Sequence, residues 1–181
     1  MPNIVREELW EHPGMIVVTT NATITHRGLL VMGRGAPLQA KQRYPRIAKE
    51  CADVIREATR SVWSYPAPYG DMAMGAYDME CEMEDMDGYS GVGYYFQVIR
   101  PPCPDENKVG FGIFQVKAHF RDNAHLELIR RSVVALREYC RNHPDVSIRM
   151  NYPGIGYGHL GREAVKPLLV GLPDNVTICY H

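Results

Sequence analysis

Two glycine clusters contain the residue types best suited to gripping an anion: Met32-Gly33-Arg34-Gly35-Ala36-Pro37 and Pro153-Gly154-Ile155-Gly156-Tyr157-Gly158-His159-Leu160-Gly161. Each follows a predicted strand and precedes a predicted helix. A glycine turn in that setting lets backbone N–H groups approach an anion closely, and the helix end adds about half a positive charge. One cluster alone marks a turn as readily as a site; two in equivalent places predict a grip on two phosphates. There is no GxxxxGK[ST] loop, and the second cluster lies too near the end of the chain to open a dinucleotide-binding βαβαβ half. Ordinary P-loop and Rossmann readings therefore fall away. His159 lies in the second cluster, His26 near the first, and His119 two residues after Lys117. Histidine as a residue type can exchange a proton near neutral pH, which qualifies each of them for proton transfer, with a capping, ligand-contacting or structural role as the alternative.

Stepping outward, these clusters need strands and helices to carry them. Met15 to Thr20 (MIVVTT) and Leu29 to Met32 (LLVM) are short apolar runs bounded by Pro13-Gly14, Asn21 and Gly33, and read as buried strands. Ile47, Cys51, Val54, Ile55, Ala58 and Val62 then fall on one face at helical spacing. Tyr94 to Ile99 and Phe111 to Lys117 read as strands joined as a hairpin by a proline-rich loop. Asp122 or Asn123 is the expected cap of a helix with the stripe Leu126, Ile129, Val133, Leu136 and Cys140, ending at Asn142-His143-Pro144. A strand at Val146 to Met150, a helix at Gly161 to Leu172 and a last strand alternating Val176, Ile178 and Tyr180 complete the chain. Strands alternating with helices predict an α/β fold, a three-layer α/β/α sandwich with a mixed central sheet, whose ligand crevices form at strand carboxyl ends.

The 181 residues predict a single domain, 1–181, interrupted at about 64–93 by a Met-, Tyr- and Gly-rich insertion without sustained period. With 16 Gly and 13 Pro the chain carries about seven more than average usage gives. Six of the glycines lie in the two clusters and five (Gly70, Gly75, Gly88, Gly91, Gly93) in the insertion. Twenty basic and 21 acidic residues give a net charge of -1, which argues against long-range attraction to nucleic acid or an anionic membrane. A phosphate-bearing partner must then be held locally. No run reaches the ~18 apolar residues of a membrane span, and MPNIVREELWEH lacks the apolar core of a signal peptide, so the expected setting is cytoplasmic. The five cysteines (Cys51, Cys81, Cys103, Cys140, Cys179) are scattered and never form CxxC, which implies inert thiols and no metal site.

In order along the chain, Glu8-Leu9-Trp10 ahead of a strand, the strand ending in Asn21, the loop MGRGAPLQAKQRYP and the late loop PGIGYGHLGREAVKPLL resemble the macrodomain family of ADP-ribose-binding α/β/α sandwiches. The Met-Gly-x-Gly and Pro-x-Ile-Gly-x-Gly loops are most similar to the terminal ADP-ribose glycohydrolase branch. The resemblance implies that Glu8 and Leu9 border adenosine, with the Glu8 carboxylate accepting from the adenine amino group, and that Asn21 faces the distal ribose. A solvent-exposed Glu and a turn Asn are the alternatives. It further implies that Gly33, Arg34, Gly35 and Ala36 wrap the distal ribose and its phosphate, and that Gly154, Ile155, Gly156, Tyr157 and Gly158 form the second diphosphate loop. Arg34 reads equally as a solvated loop charge.

Lys117 matches the lysine that this branch is proposed to use against the ribose anomeric carbon. That role requires a lowered pKa, since an ammonium has no lone pair; a solvated strand-end charge is the alternative. The branch also places an acidic residue soon after its late Gly-x-Gly, where this chain has His159-Leu160-Gly161-Arg162-Glu163 in a segment two residues shorter. The acid is therefore missing or moved to Glu163, and His159 is the candidate replacement. The resemblance thus implies binding of ADP-ribose or an ADP-ribosylated substrate, without cofactor, and hydrolysis of an ADP-ribosyl bond. ADP-ribose 1''-phosphate phosphatase chemistry and a non-catalytic ADP-ribose reader are the alternatives.

Overall fold

The strand Met15–Thr20 is almost wholly buried along its length, because its side chains alternate between two cores. Met15 and Val17 pack on one side of the sheet, Ile16 and Val18 on the other. The computed structural model describes residues 1–10, 13–59, 93–103 and 108–180. In chain order the elements are β1 (Asn3–Val5), β2 (Met15–Thr20), α1 (Gly35–Arg43), α2 (Ile47–Thr59), β3 (Phe96–Arg100), β4 (Gly110–Gln115), α3 (Leu126–Asn142), β5 (Ile148–Asn151), a single 3-10 turn (Gly156–Gly158), α4 (Arg162–Leu169) and β6 (Val176–Cys179).

Among the described residues six strands form one sheet in the order β1-β6-β5-β2-β4-β3. The pairs β1–β6, β6–β5, β5–β2 and β2–β4 are parallel, while β3 runs antiparallel to β4 at the edge. This is the expected mixed sheet, and β3–β4 is the expected hairpin. On one face Ile129, Val133 and Leu136 of α3 and Val165 and Leu169 of α4 cover Val17, Ile148, Met150 and Ile178. On the other, Ala40 of α1 and Ile47, Cys51 and Ile55 of α2 cover Ile16, Val18 and Ile113. Burial of such aliphatic side chains, about 1.5–3 kcal/mol each, is what fastens the helices to the sheet. The three layers are those predicted.

Several local expectations are corrected. Leu29 to Met32 is not a strand: only Leu30 pairs, in an isolated bridge to Ile24, and the run is apolar because Leu30 and Met32 are buried beneath the helices. The Leu30 N–H donates to the Ala48 carbonyl rather than to a sheet neighbour. Neither Asp122 nor Asn123 caps α3. Asp122 instead accepts from the His119 N–H at 3.1 Å within a tight turn, and His125 caps the helix through Nδ1, which accepts from the Glu127 N–H at 3.3 Å. Lys117 falls two residues beyond the end of β4 rather than within it. The short edge strand β1 and the helix α1, which begins within the first glycine cluster, were not anticipated.

The expected insertion, apart from Gly93, and Val62 and Cys81 lie outside the described residues. Among the described thiols, burial pushes Cys51 up to about 12 and Cys140 up to about 11, so both stay protonated at neutral pH and are poor nucleophiles. Among the described residues no helix is long and apolar enough to cross a membrane.

Candidate functional site

β2 leads into α1 on one face of the sheet, whereas its neighbour β5 leads through the 3-10 turn into α4 on the other. Connections leaving adjacent parallel strands toward opposite faces open a crevice at the strand carboxyl ends. Here that crevice is a cavity of about 510 Å³. Its cleft starts where the β2–β5 ladder stops: beyond the Val17–Met150 pair, the Asn151 side chain takes over the backbone's part. Asn151 Oδ1 accepts from the Thr19 N–H at 2.9 Å and its Nδ2 donates to Thr19 Oγ1 at 2.6 Å.

The first glycine cluster forms one wall, with Gly33, Arg34, Gly35 and Ala36 on the cavity surface. The second forms the opposite wall through Gly154, Ile155, Tyr157, Gly158 and His159. Asn21 and Lys117 lie between them. Two distant segments predicted to grip two phosphates thus line one space. Gly156 belongs to the same turn but does not line the cavity, and neither do Glu8 and Leu9. Leu9 is buried in the core beside α1 and α2, and the Glu8 carbonyl accepts from Arg149 at 2.8 Å.

Glycine serves two purposes in these clusters, for Gly35 and Gly156 share the left-handed backbone of Gly154 (φ +59° and +65°) while Gly33 does not. Gly154 has φ +75°, and a Cβ there would come within 2.8 Å of Ile129 Cδ1 and 2.9 Å of Leu160 Cδ1, so it is required by the fold. A Cβ on Gly33 would meet no protein atom within 4 Å, and its φ is one that other residues adopt, so the fold does not demand a glycine there. Helix α1 starts on the cavity wall with no side-chain cap and no acidic residue in its first turn, leaving the positive end of its dipole uncountered by a local carboxylate.

Lys117 is partly buried at the cavity wall. Its Nζ donates to the Asp122 carbonyl at 2.9 Å and to the Tyr157 carbonyl at 3.4 Å. Burial lowers its pKa below the ordinary lysine value; the Arg34 cation works in the same direction and the Asp122 carboxylate opposes both. Arg34 is not a purely solvated charge, for its guanidinium lies 4.9 Å from the centre of the Tyr157 ring. His159 is exposed and left-handed (φ +57°), and caps the 3-10 turn through its N–H, which donates to the Gly156 carbonyl at 2.9 Å. The other wall cation is Arg121, so every ionisable side chain on the described cavity surface is an arginine, lysine, histidine or tyrosine. Glu163 lies in the first turn of α4, outside that surface. His26 is exposed and His119 buried, and neither lines the cavity.

Asn21 is 7% exposed and holds its own loop: Oδ1 accepts from the Thr23 N–H at 2.8 Å while Nδ2 donates to the Val31 carbonyl at 2.9 Å. Beneath it the buried Tyr94 hydroxyl donates to the Asn21 carbonyl at 3.1 Å and bonds Thr20 Oγ1. Thr19, Thr20, Asn151, Phe120 and Arg121 on the cavity surface were missed by sequence reasoning. For three of them a signal existed, since Thr19, Thr20 and Asn151 are polar residues at the carboxyl ends of their strands.

Comparison with solved structures puts this arrangement in context. Over 100% of this chain and 98% of the other, the fold is similar to the macrodomain of Mycobacterium tuberculosis DarG, with a TM-score of 0.63 and 19% identity. The chain has the macrodomain fold. The macrodomain of Thermus aquaticus DarG is also similar, with a TM-score of 0.62 and 19% identity over 100% of this chain and 98% of that one. So is Thermosipho africanus DarTG, solved in complex with ADP-ribose, with a TM-score of 0.60 and 16% identity over 98% of this chain and 41% of that one. The sequence matches no family model and no curated relative. The macrodomain architecture expected from the combined resemblance of the four segments is therefore the one observed.

Proposed function

We propose that the chain binds ADP-ribose or an ADP-ribosyl group in this cavity and hydrolyses the bond joining the ribose to its carrier. The observation that carries the reading is the position of Lys117: a partly buried amine, with lowered pKa, bonded to the carbonyl of Tyr157 in one glycine loop and facing the other. The two loops and the α1 dipole supply backbone donors for a diphosphate, which is how a chain of net charge -1 recognises one. Glu8 would border adenine beyond the enclosed part of the cavity, and Asn21 and Gly33 the distal ribose, while Leu9, buried in the core, is withdrawn from the ligand set.

In the first step neutral Nζ forms a bond to the anomeric carbon as the carbon–carrier bond breaks. The proton that Nζ loses ends on the leaving group, and His159 is placed on the cavity surface to carry it. Water then displaces Nζ, releasing ADP-ribose and restoring the lysine. A reader that binds without turnover is the second reading, supported by the purely basic, imidazole and phenol character of the ionisable groups on the described cavity surface. The phosphatase reading would need His159 as the direct participant, since His119 does not reach the cavity surface.

Calorimetric titration with ADP-ribose, followed by assay of ADP-ribose release from ADP-ribosylated protein and nucleic-acid substrates, tests the proposal. Binding with release, and release lost in Lys117→Ala while binding persists, supports the hydrolase. Binding without release in the native chain supports the reader, and phosphate release from ADP-ribose 1''-phosphate the phosphatase. Absence of binding removes all three.

A further inference from the structure

Arg34 and Tyr157 form a contact across the mouth of the cavity that the proposed reaction leaves unused. The Arg34 guanidinium rests 4.9 Å from the Tyr157 ring centre, so the β2–α1 loop and the β5–α4 loop touch there. Through its main-chain carbonyl the same Tyr157 reaches Lys117 Nζ at 3.4 Å. Arg34, Tyr157 and Lys117, from three separate segments, thereby form one chain of contacts around the cavity. We propose that Arg34 and Tyr157 are positioning residues for Lys117: the guanidinium fixes the Tyr157 loop, whose carbonyl, together with that of Asp122, holds Nζ at the cavity wall.

The stoichiometry of the acceptors supports this. A neutral amine has two hydrogens and one lone pair, whereas an ammonium has three hydrogens. Two carbonyls, from Asp122 and Tyr157, can accept two hydrogens from either form, which fixes the place of Nζ and leaves its remaining position for a bond to carbon once the third proton has gone. Among the described residues, the charged and titratable groups that share the cavity surface with Lys117 or bond to it come from three segments. They are Arg34 from the β2–α1 loop, Arg121 and Asp122 from the turn before α3, and Tyr157 and His159 from the β5–α4 loop. Of these, Asp122 favours the ammonium, while the Arg34 cation and burial disfavour it. Removing Arg34 takes away a neighbouring cation and releases the carbonyl-bearing loop.

The inference rests on the reading of Lys117 as the reacting amine, and the experiment separates the two. Lysine side chains labelled at the ε-carbon are titrated by NMR in the full chain as wild type, Arg34→Gln, Arg34→Lys and Tyr157→Ala, with the signal assigned by its loss in Lys117→Gln. The pH–rate profile for ADP-ribose release is recorded beside each. The expected result is an upward shift of the Lys117 midpoint in Arg34→Gln and in Tyr157→Ala. In both, turnover lost at neutral pH returns as pH is raised, and Arg34→Lys lies between Arg34→Gln and wild type. A Lys117 midpoint identical in wild type, Arg34→Gln and Tyr157→Ala overturns the positioning role even if the wild type turns over. A shifted midpoint in a chain with no turnover supports the positioning role and removes only the hydrolase reading.

Discussion

Replacing Gly33 and Gly154 separately by alanine distinguishes a glycine kept for a ligand from one kept for the fold. At Gly154 the left-handed backbone costs an alanine about 1–2 kcal/mol. The new Cβ would also overlap Ile129 Cδ1 at 2.8 Å and Leu160 Cδ1 at 2.9 Å. Both are terminal methyls, so the packing share falls at the low end of the overpacking range, about 1 kcal/mol. The sum, roughly 2–3 kcal/mol, lowers Tm by on the order of 8 °C in a chain of this size. At Gly33 neither term applies, and the loss of unfolded-state freedom makes alanine neutral to stabilising by up to about 1 kcal/mol. Its methyl, however, occupies cavity space beside the loop backbone. Losing one charge-assisted hydrogen bond to a phosphate costs about 1.5–3 kcal/mol, or about ten- to a hundredfold in Kd. Urea unfolding and calorimetric titration with ADP-ribose measure both effects. If Gly33→Ala unfolds as easily as Gly154→Ala, or binds ADP-ribose with native affinity, the assignment of the first glycine loop to the ligand is wrong.

Other consequences follow from particular contacts. Because Lys117 titrates below the ordinary lysine value, the neutral amine gains population as pH rises through that lowered midpoint, and turnover should climb on the alkaline limb; a flat rate there refutes amine attack. The same depression means that the unfolded chain binds more protons than the folded one between the lowered midpoint and 10.5, so Lys117 contributes a rise in stability with pH in that window, and Lys117→Met should remove it from the pH dependence of urea unfolding. Tyr94→Phe leaves the buried Asn21 carbonyl and Thr20 hydroxyl short of a partner and should cost about 1–3 kcal/mol in the same assay. Arg100 Nε and Nη2 meet Glu50 at 2.7 and 2.8 Å, and the Arg100 hydrogen bond holds the Glu50 carboxyl below its usual range. This half-exposed pair, tying β3 to α2, should contribute no more than about 1 kcal/mol, present above pH ~4.5 and lost as pH falls through the lowered midpoint, and Glu50→Gln should abolish that acid dependence.

How much of this was readable before the structure depended on whether a signal was local. The stripe Ile129, Val133, Leu136 specified α3 because helical spacing and burial coincide on one face. MIVVTT specified β2 because a strand buried on both sides needs an unbroken apolar run. Leu29 to Met32 gave the same signal and misled, since an apolar run records burial without recording what buries it, and here the cover is helical. The α3 cap was misassigned because the obvious capping residue, Asp122, was already engaged by the His119 N–H, a commitment made by the tertiary path of the turn.

The candidate site divides along the same line. Both glycine loops are written locally, as strand–glycine–helix punctuation, and their convergence on one cavity required only that β2 and β5 be adjacent with their connections on opposite faces. Arg34, Tyr157 and Lys117 are different, because 123 and 40 residues of chain separate Tyr157 from its two partners. Nothing in the residues around Lys117 says that its amine will meet two carbonyls instead of water. That fact comes from the tight turn before α3, in which the Asp122 N–H donates to the His119 carbonyl and the His119 N–H to the Asp122 carboxylate, while the Asp122 carbonyl accepts from Nζ. The chemistry proposed for the lysine therefore depends on that turn, and Asp122→Ala, which removes the turn's side-chain acceptor and the carboxylate that favours the ammonium, should shift the Lys117 midpoint as well as cost about 1 kcal/mol of stability. A titration of Lys117 in that variant coinciding with the wild type would break the link between the turn and the amine.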